Sequence, residues 1–155
     1  MGWKPFAFKE AREAKGWNHS ELAKRTGLSR TVVGRYEKAD GSAPTPEALQ
    51  KLAAVLSVPP REFIDFRIAG LAGYRAVLGL TQDQLVEKVG DPDLNVQTYR
   101  ALEAGRTRKL RTAQARSLAT FFKISEDEVR TAHEHAVTRR QADERLTGEG
   151  AERTR

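Results

Sequence analysis

The sequence predicts an all-α protein made of two tandem five-helix domains followed by a helical and then disordered C-terminal tail. Three observations carry this. Apolar residues recur at helical spacing and nowhere alternate with polar ones for long. Helix caps and stops punctuate the chain at short intervals. The chain also repeats itself: Arg12, Gly16, Leu22, Gly27, Leu28, Glu37, Leu52 and Ala53 return in order as Arg75, Gly79, Leu85, Gly90, Leu94, Glu103, Leu118 and Ala119. The offset is 63 residues up to Gly27 and Gly90, and 66 from Leu28 and Leu94 onward, with Asp91-Pro92-Asp93 supplying the difference. Residues 1–66 form the first copy, 67–130 the second and 131–155 the tail.

In the first copy, residues 6–15 read as a helix stopped by Gly16. Asn18 caps the second helix, with Glu21 at its third position as in a capping box, and Gly27 ends it. Ser29 caps a third helix running to about Lys38, with Val33 and Tyr36 inward. Asp40-Gly41-Ser42-Ala43-Pro44 is a loop. Thr45-Pro46-Glu47 then gives a cap, a first-turn proline and a first-turn acid. Leu49, Leu52, Ala53 and Leu56 make the apolar stripe of the fourth helix, and Pro59-Pro60 opens a short last one carrying Phe63 and Phe66. The second copy follows the same plan. Thr81 and Asn95 cap its second and third helices, and Tyr99 and Leu102 face inward. Leu118, Ala119 and Phe122 line the fourth helix, and Ser125-Glu126-Asp127-Glu128 is a capping box for the fifth. In the tail, Val129, Ala132, Ala136, Val137 and Arg140 form only a weak stripe, which leaves docking on the second copy, a dimer seam or a loose helix all open. Residues 147–155, rich in Gly and charge, read as disordered.

The composition narrows the chemistry. In 155 residues there are 27 Lys+Arg against 21 Asp+Glu, a net charge of +6, and no Cys. Thiol nucleophiles, thiolate metal sites and disulfides are thereby excluded. No apolar run reaches the ~18 residues of a membrane span. The opening Met-Gly-Trp-Lys-Pro-Phe lacks a secretory pattern, so the expectation is a cytoplasmic, nucleoid-associated protein with no membrane partner. Between Val96 and Arg116 lie six basic residues (Arg100, Arg106, Arg108, Lys109, Arg111, Arg116) and one acid, Glu103. Charge alone reads this equally as a phosphate footprint or as a solvated basic loop. His133 and His135 are two residues apart, about 200° around a helix, which argues against a shared metal. No convergent nucleophile, base or metal set is visible, so neither an enzyme nor a cofactor is expected.

Two short helices meeting at Gly27, the second apolar on one side only, have the shape of a helix-turn-helix unit. The segments Gly16-Trp17-Asn18-His19-Ser20-Glu21-Leu22-Ala23, Gly27-Leu28-Ser29, Val33 and Tyr36-Glu37, with the later Pro44-Thr45-Pro46-Glu47-Ala48-Leu49 and Lys51-Leu52-Ala53, resemble the Cro/phage-repressor (Xre) helix-turn-helix family. The resemblance covers nearly all of residues 6–66 and, more loosely, 69–130, and implies lambda-repressor-like domains that bind double-stranded DNA. It implies ion pairs Arg12–Glu37 and Arg75–Glu103 joining first and third helices. It implies base reading by Arg30, Thr31 and Arg35 in the first copy. At the matching places the second copy has Val96, Gln97, Arg100 and Ala101, of which Val96, Gln97 and Arg100 are taken as readers. Backbone contacts fall to His19 (or a base edge) and Lys38, then to Gln82, Arg106, Arg108, Lys109 and Arg111. Asp91-Pro92-Asp93 lengthens the second copy's turn beyond the family pattern and adds two charges that must not face phosphate.

The expected function is a sequence-specific transcriptional regulator, a repressor by preference, reading an asymmetric or imperfectly repeated operator with two unlike helices. Two alternatives stay open. One is an antitoxin-type protein whose tail holds a protein partner; the other is a single active unit whose second copy serves self-association as a homodimer.

Overall fold

Local chemistry sets most helix starts. Asn18 Oδ1 accepts from the Glu21 amide (2.8 Å), Ser29 Oγ from Val32 (3.1 Å) and Thr45 Oγ1 from Ala48 (3.2 Å). These caps open α2 (His19–Thr26), α3 (Arg30–Tyr36) and α4 (Pro46–Leu56). Before them α1 (Pro5–Ala14) starts on a proline, whose missing N–H costs nothing at that position. The computed structural model describes residues 2–152, with side chains for 2–148. It divides into two compact units, Met1–Ala69 with Gly73–Thr81, and Gly70–Ala72 with Gln82–Arg155. The described residues hold ten α-helices and one 3-10 helix, and no helix among them is long and apolar enough to cross a membrane.

In the first unit Phe8, Leu22, Val33, Leu49, Leu52, Leu56 and Phe63 are all at most 1% exposed. Burying each such side chain contributes about 1.5–3 kcal/mol. The end of this copy departs from expectation. The last helix is a single 3-10 turn, Pro60–Phe63, and Phe66 belongs to a separate α5 (Phe66–Ala69). Ile64 is extended (φ −121°, ψ 128°) because it forms an antiparallel bridge with Trp3, and that pairing ends the turn. Lys4 N donates to Phe63 O (2.9 Å) and Asp65 N to Gly2 O (2.6 Å). The Trp3 ring packs on Phe8 and Phe63, and its Nε1 donates to Tyr36 O at 2.7 Å. Next comes α6 (Leu71–Val77). Its residues from Gly73 on fall with the first unit, although the repeat assigns them to the second copy. Tyr74 stacks on Phe66 (4.7 Å between centroids), and Gln50 Nε2 donates to Val77 O at 2.6 Å.

The second unit holds α7 (Gln82–Val89), α8 (Val96–Glu103), α9 (Thr112–Phe122) and α10 (Glu126–Glu152). Asn95 caps α8 through the Thr98 amide at 2.8 Å. Ser125 and Glu128 cap α10 reciprocally, at 3.1 and 2.7 Å. Leu85, Leu94, Tyr99, Leu102, Leu118 and Val129 are buried together with Ala132 and Ala136, so the first half of α10 is core, while Phe122 is only half-buried. From residue 138 to 148 nearly every residue is exposed, yet the helix continues. The disorder expected from residue 147 is replaced by helix as far as Glu152, and residues 153–155 lie outside the described residues. The Arg140–Glu144 pair at 2.9 Å, and Thr147 Oγ1 donating to Asp143 O and Glu144 O, are the local bonds that accompany this extension.

Two helices end without the expected glycine. Ser57 after α4 (φ 56°) and Lys123 after α9 (φ 57°) both occupy the left-handed region. A β-carbon there costs about 1–2 kcal/mol. Ser57→Gly is therefore expected to raise stability by roughly 0.5–1 kcal/mol, measured by urea unfolding; an unchanged or lower midpoint contradicts it.

Candidate nucleic-acid interface

Gly27 closes the turn between α2 and α3 with φ 72°, a conformation a side chain resists. Ser29 then caps α3 and directs Val33 and Tyr36 into the core. The opposite face carries Arg30, Thr31 and Arg35, with Lys38 just beyond. All four are exposed, and their side chains make no hydrogen bond or ion pair among the described residues. Seven residues thus present three unspent polar side chains on one short rod.

Arg12, His19 and Glu37, beside that face, are bound to one another. Arg12 Nε donates to Glu37 Oε1 at 2.5 Å and Nη2 to Oε2 at 3.2 Å, while Nη1 donates to Trp17 O at 2.6 Å. The Arg12 and Glu37 side chains are only 10% and 8% exposed. His19 Nε2 lies 2.6 Å from Glu37 Oε2. An ionised carboxylate only accepts, so this nitrogen carries the proton. Burial pushes the Glu37 carboxyl up, but the hydrogen bonds from Arg12 and His19 outweigh it and hold the group below the ordinary glutamate range. The same bond raises the Arg12 guanidinium further, against the opposing effect of burial. One carboxylate at the end of α3 thereby fastens α1 and α2 to it.

His19, the expected contact to the DNA backbone or a base edge, places its Nε2 against Glu37 in the free chain. Its ring lies over Gly34, where a β-carbon would sit 3.8 Å from Nδ1.

The second unit spends its polar groups differently. Gln82 Nε2 donates to Glu103 Oε1 (3.1 Å), and Gln82 Oε1 accepts from Arg100 Nε (3.0 Å). Arg100 Nη2 is also 3.5 Å from Asp83. Gln82, expected as a backbone contact, is therefore engaged inside its own unit, and the expected base reader Arg100 is tethered. In the first unit, Arg75 Nη1 donates to Leu80 O at 2.9 Å. Gln97 is exposed and without a side-chain hydrogen bond among the described residues, while Val96 and Ala101 are half-buried. The inserted Asp91 turns back on its own unit, accepting from Ser117 Oγ (2.7 Å) and the Asp93 amide (2.9 Å). The Ser117 bond, with the Asp93 amide, holds its carboxyl below the usual range. Between α8 and α9, Arg106, Arg108, Lys109 and Arg111 are all exposed, and Leu110 is buried among them.

Comparison with known proteins places a limit on what is shared. Residues 8–63 match the family model described as Helix-turn-helix. Over 56 residues the chain is 41% identical to the HTH-type transcriptional regulator SutR of Escherichia coli (strain K12), a stretch that is 36% of this chain and 31% of that protein. The chain thus spans less than a third of the curated relative it matches. No solved structure matches. Residues 8–63, the segment that builds the α1–α2–α3 constellation, are similar to the helix-turn-helix family.

Proposed function

We propose that this chain is a sequence-specific double-stranded DNA-binding regulator of transcription, acting as a repressor by occupying its target. One observation carries the reading: the outer face of α3 keeps Arg30, Thr31 and Arg35 exposed and unpaired while Arg12, His19 and Glu37 beside it are bound to one another. An α-helix fits the major groove, about 12 Å wide, where an arginine fork matches guanine O6 and N7 and a threonine methyl meets thymine. The match of residues 8–63, and the similarity to a bacterial HTH-type transcriptional regulator, support the same reading.

We assign residues 67–130 as a second, divergent copy of the same domain. Supporting this, Gly16 and Gly79, and Gly27 and Gly90, share positive φ at a spacing of 63, and Ser57 and Lys123 do so at 66. The Arg12–Trp17 and His19–Glu37 bonds have counterparts in Arg75–Leu80 and Gln82–Glu103. In this reading Val96 and Gln97 meet bases, Arg100 joins them only by releasing Gln82 and Asp83, and Arg106, Arg108, Lys109 and Arg111 grip phosphates. Two unlike helices in one chain call for an asymmetric operator. The tether on Arg100 favours a second reading, in which this copy grips DNA or a second chain without reading bases.

Selection from random duplexes tests the proposal: one preferred sequence is expected, and no enrichment contradicts it. Arg108→Ala and Lys109→Ala are expected to weaken binding to selected and random duplexes alike and each to lower the salt slope by roughly one. An unchanged slope removes them from the interface.

A further inference from the structure

The loop that carries the four exposed cations has no regular structure of its own, yet three of its backbone positions are held from one side. His133, on α10, is 2% exposed. Its Nε2 is 2.7 Å from Thr107 O, and a carbonyl only accepts, so the proton sits on Nε2. Three residues earlier on the same helix, Arg130 Nη1 donates to Leu110 O at 3.3 Å, and Nη2 to Thr112 Oγ1 at 3.4 Å. At the loop's start, Gly105 (φ 69°) rests on the same helix: a β-carbon there would stand 2.4 Å from the Ala136 carbonyl. Residues 105, 107 and 110 are thus turned toward α10, and Arg106, Arg108, Lys109 and Arg111 are left facing outward.

We propose that α10 is the positioning element of the basic loop, with His133 and Arg130 fixing its backbone so that its cations meet the phosphates of a duplex. This rests on the DNA-binding reading above and adds to it. A free loop must be ordered on binding, with an entropy cost that grows with each residue fixed. A loop already held by two side-chain donors has met most of that cost. The two residues are positioning residues; neither is placed on the DNA.

The test uses the full chain with three variants. His133→Ala removes the donor. His133→Gln keeps an N–H close to the position of Nε2. Arg130→Met keeps the alkyl stem and removes the guanidinium. Two quantities are read: amide hydrogen exchange at residues 106–109 in the free protein, and the slope of log affinity against log salt for the selected duplex. His133→Ala and Arg130→Met are expected to speed exchange in the loop and to lower the slope by about one, the equivalent of one lost phosphate contact. His133→Gln is expected to stay with the parent, and Arg130→Met, which keeps the packing and removes the donors, separates hydrogen bonding from space-filling. If His133→Ala does not fold, Arg130→Met and His133→Gln decide by the same two readouts. Parent-like exchange and slope in Arg130→Met, with a parent-like His133→Ala wherever it folds, overturn the proposal, as does a His133→Gln that behaves like His133→Ala. A parent chain that binds no duplex defeats the DNA-binding reading instead, and loop exchange then judges the positioning role alone.

Discussion

Arg30→Ala and Arg35→Ala are each expected to lower affinity for the selected duplex by about 1–3 kcal/mol while leaving affinity for random duplex nearly unchanged. The asymmetry is what matters. Both side chains are exposed and unpaired, so their removal leaves no buried group without a partner and costs the fold little. A loss confined to one sequence identifies a base reader, whereas an equal loss on every sequence identifies a phosphate contact. Competition binding against selected and scrambled duplexes separates the two. Variants that keep the parent's discrimination would remove α3 from base reading.

The second large effect concerns stability. Glu37→Gln is expected to lower unfolding free energy by about 3–5 kcal/mol, because it leaves the Arg12 guanidinium buried without its counter-charge. The pH dependence follows from the lowered carboxyl. The folded Glu37 titrates below its ordinary 4.5, so its contribution is complete above that value and disappears as the pH falls through the lower folded one. The gap between parent and Glu37→Gln is accordingly expected to be full at neutral pH and to close in acid. Urea unfolding across that range checks it, and a gap independent of pH contradicts the assignment of the effect to charge. His19→Ala is a milder probe, since it removes one bond to Glu37 and leaves the guanidinium pair in place.

What the sequence made legible was mostly local. Asn18, Ser29, Thr45, Asn95 and Ser125 are readable as caps because a side-chain oxygen two or three residues ahead of an unpaired amide acts on its own helix alone. The stripe Leu49, Leu52, Ala53 and Leu56 is readable for the same reason. Contacts between distant residues were not. Nothing in Gly2-Trp3-Lys4 announces that it pairs with residues 63–65, since a single bridge has no alternating pattern. The Arg12–Glu37 pair was accessible only through resemblance, its partners being 25 residues apart, and that route gave no hint that His19 turns to the same carboxylate. Ser57 and Lys123 hide two helix ends because no glycine marks their left-handed backbone, which the amides of Val58 and Ile124 close onto Ala53 O and Ala119 O. In the sequence His133 stands out only by its nearness to His135, because its acceptor, the Thr107 carbonyl, is a backbone atom that no side-chain pattern reveals.

Chemical-shift mapping of the full chain with its selected duplex bears most directly on the claim that the outer face of α3 enters the groove. The largest perturbations are expected at Arg30, Thr31 and Arg35, with a second set at Arg106, Arg108 and Lys109. Saturating duplex that leaves the α3 signals where they stand in the free protein would contradict it.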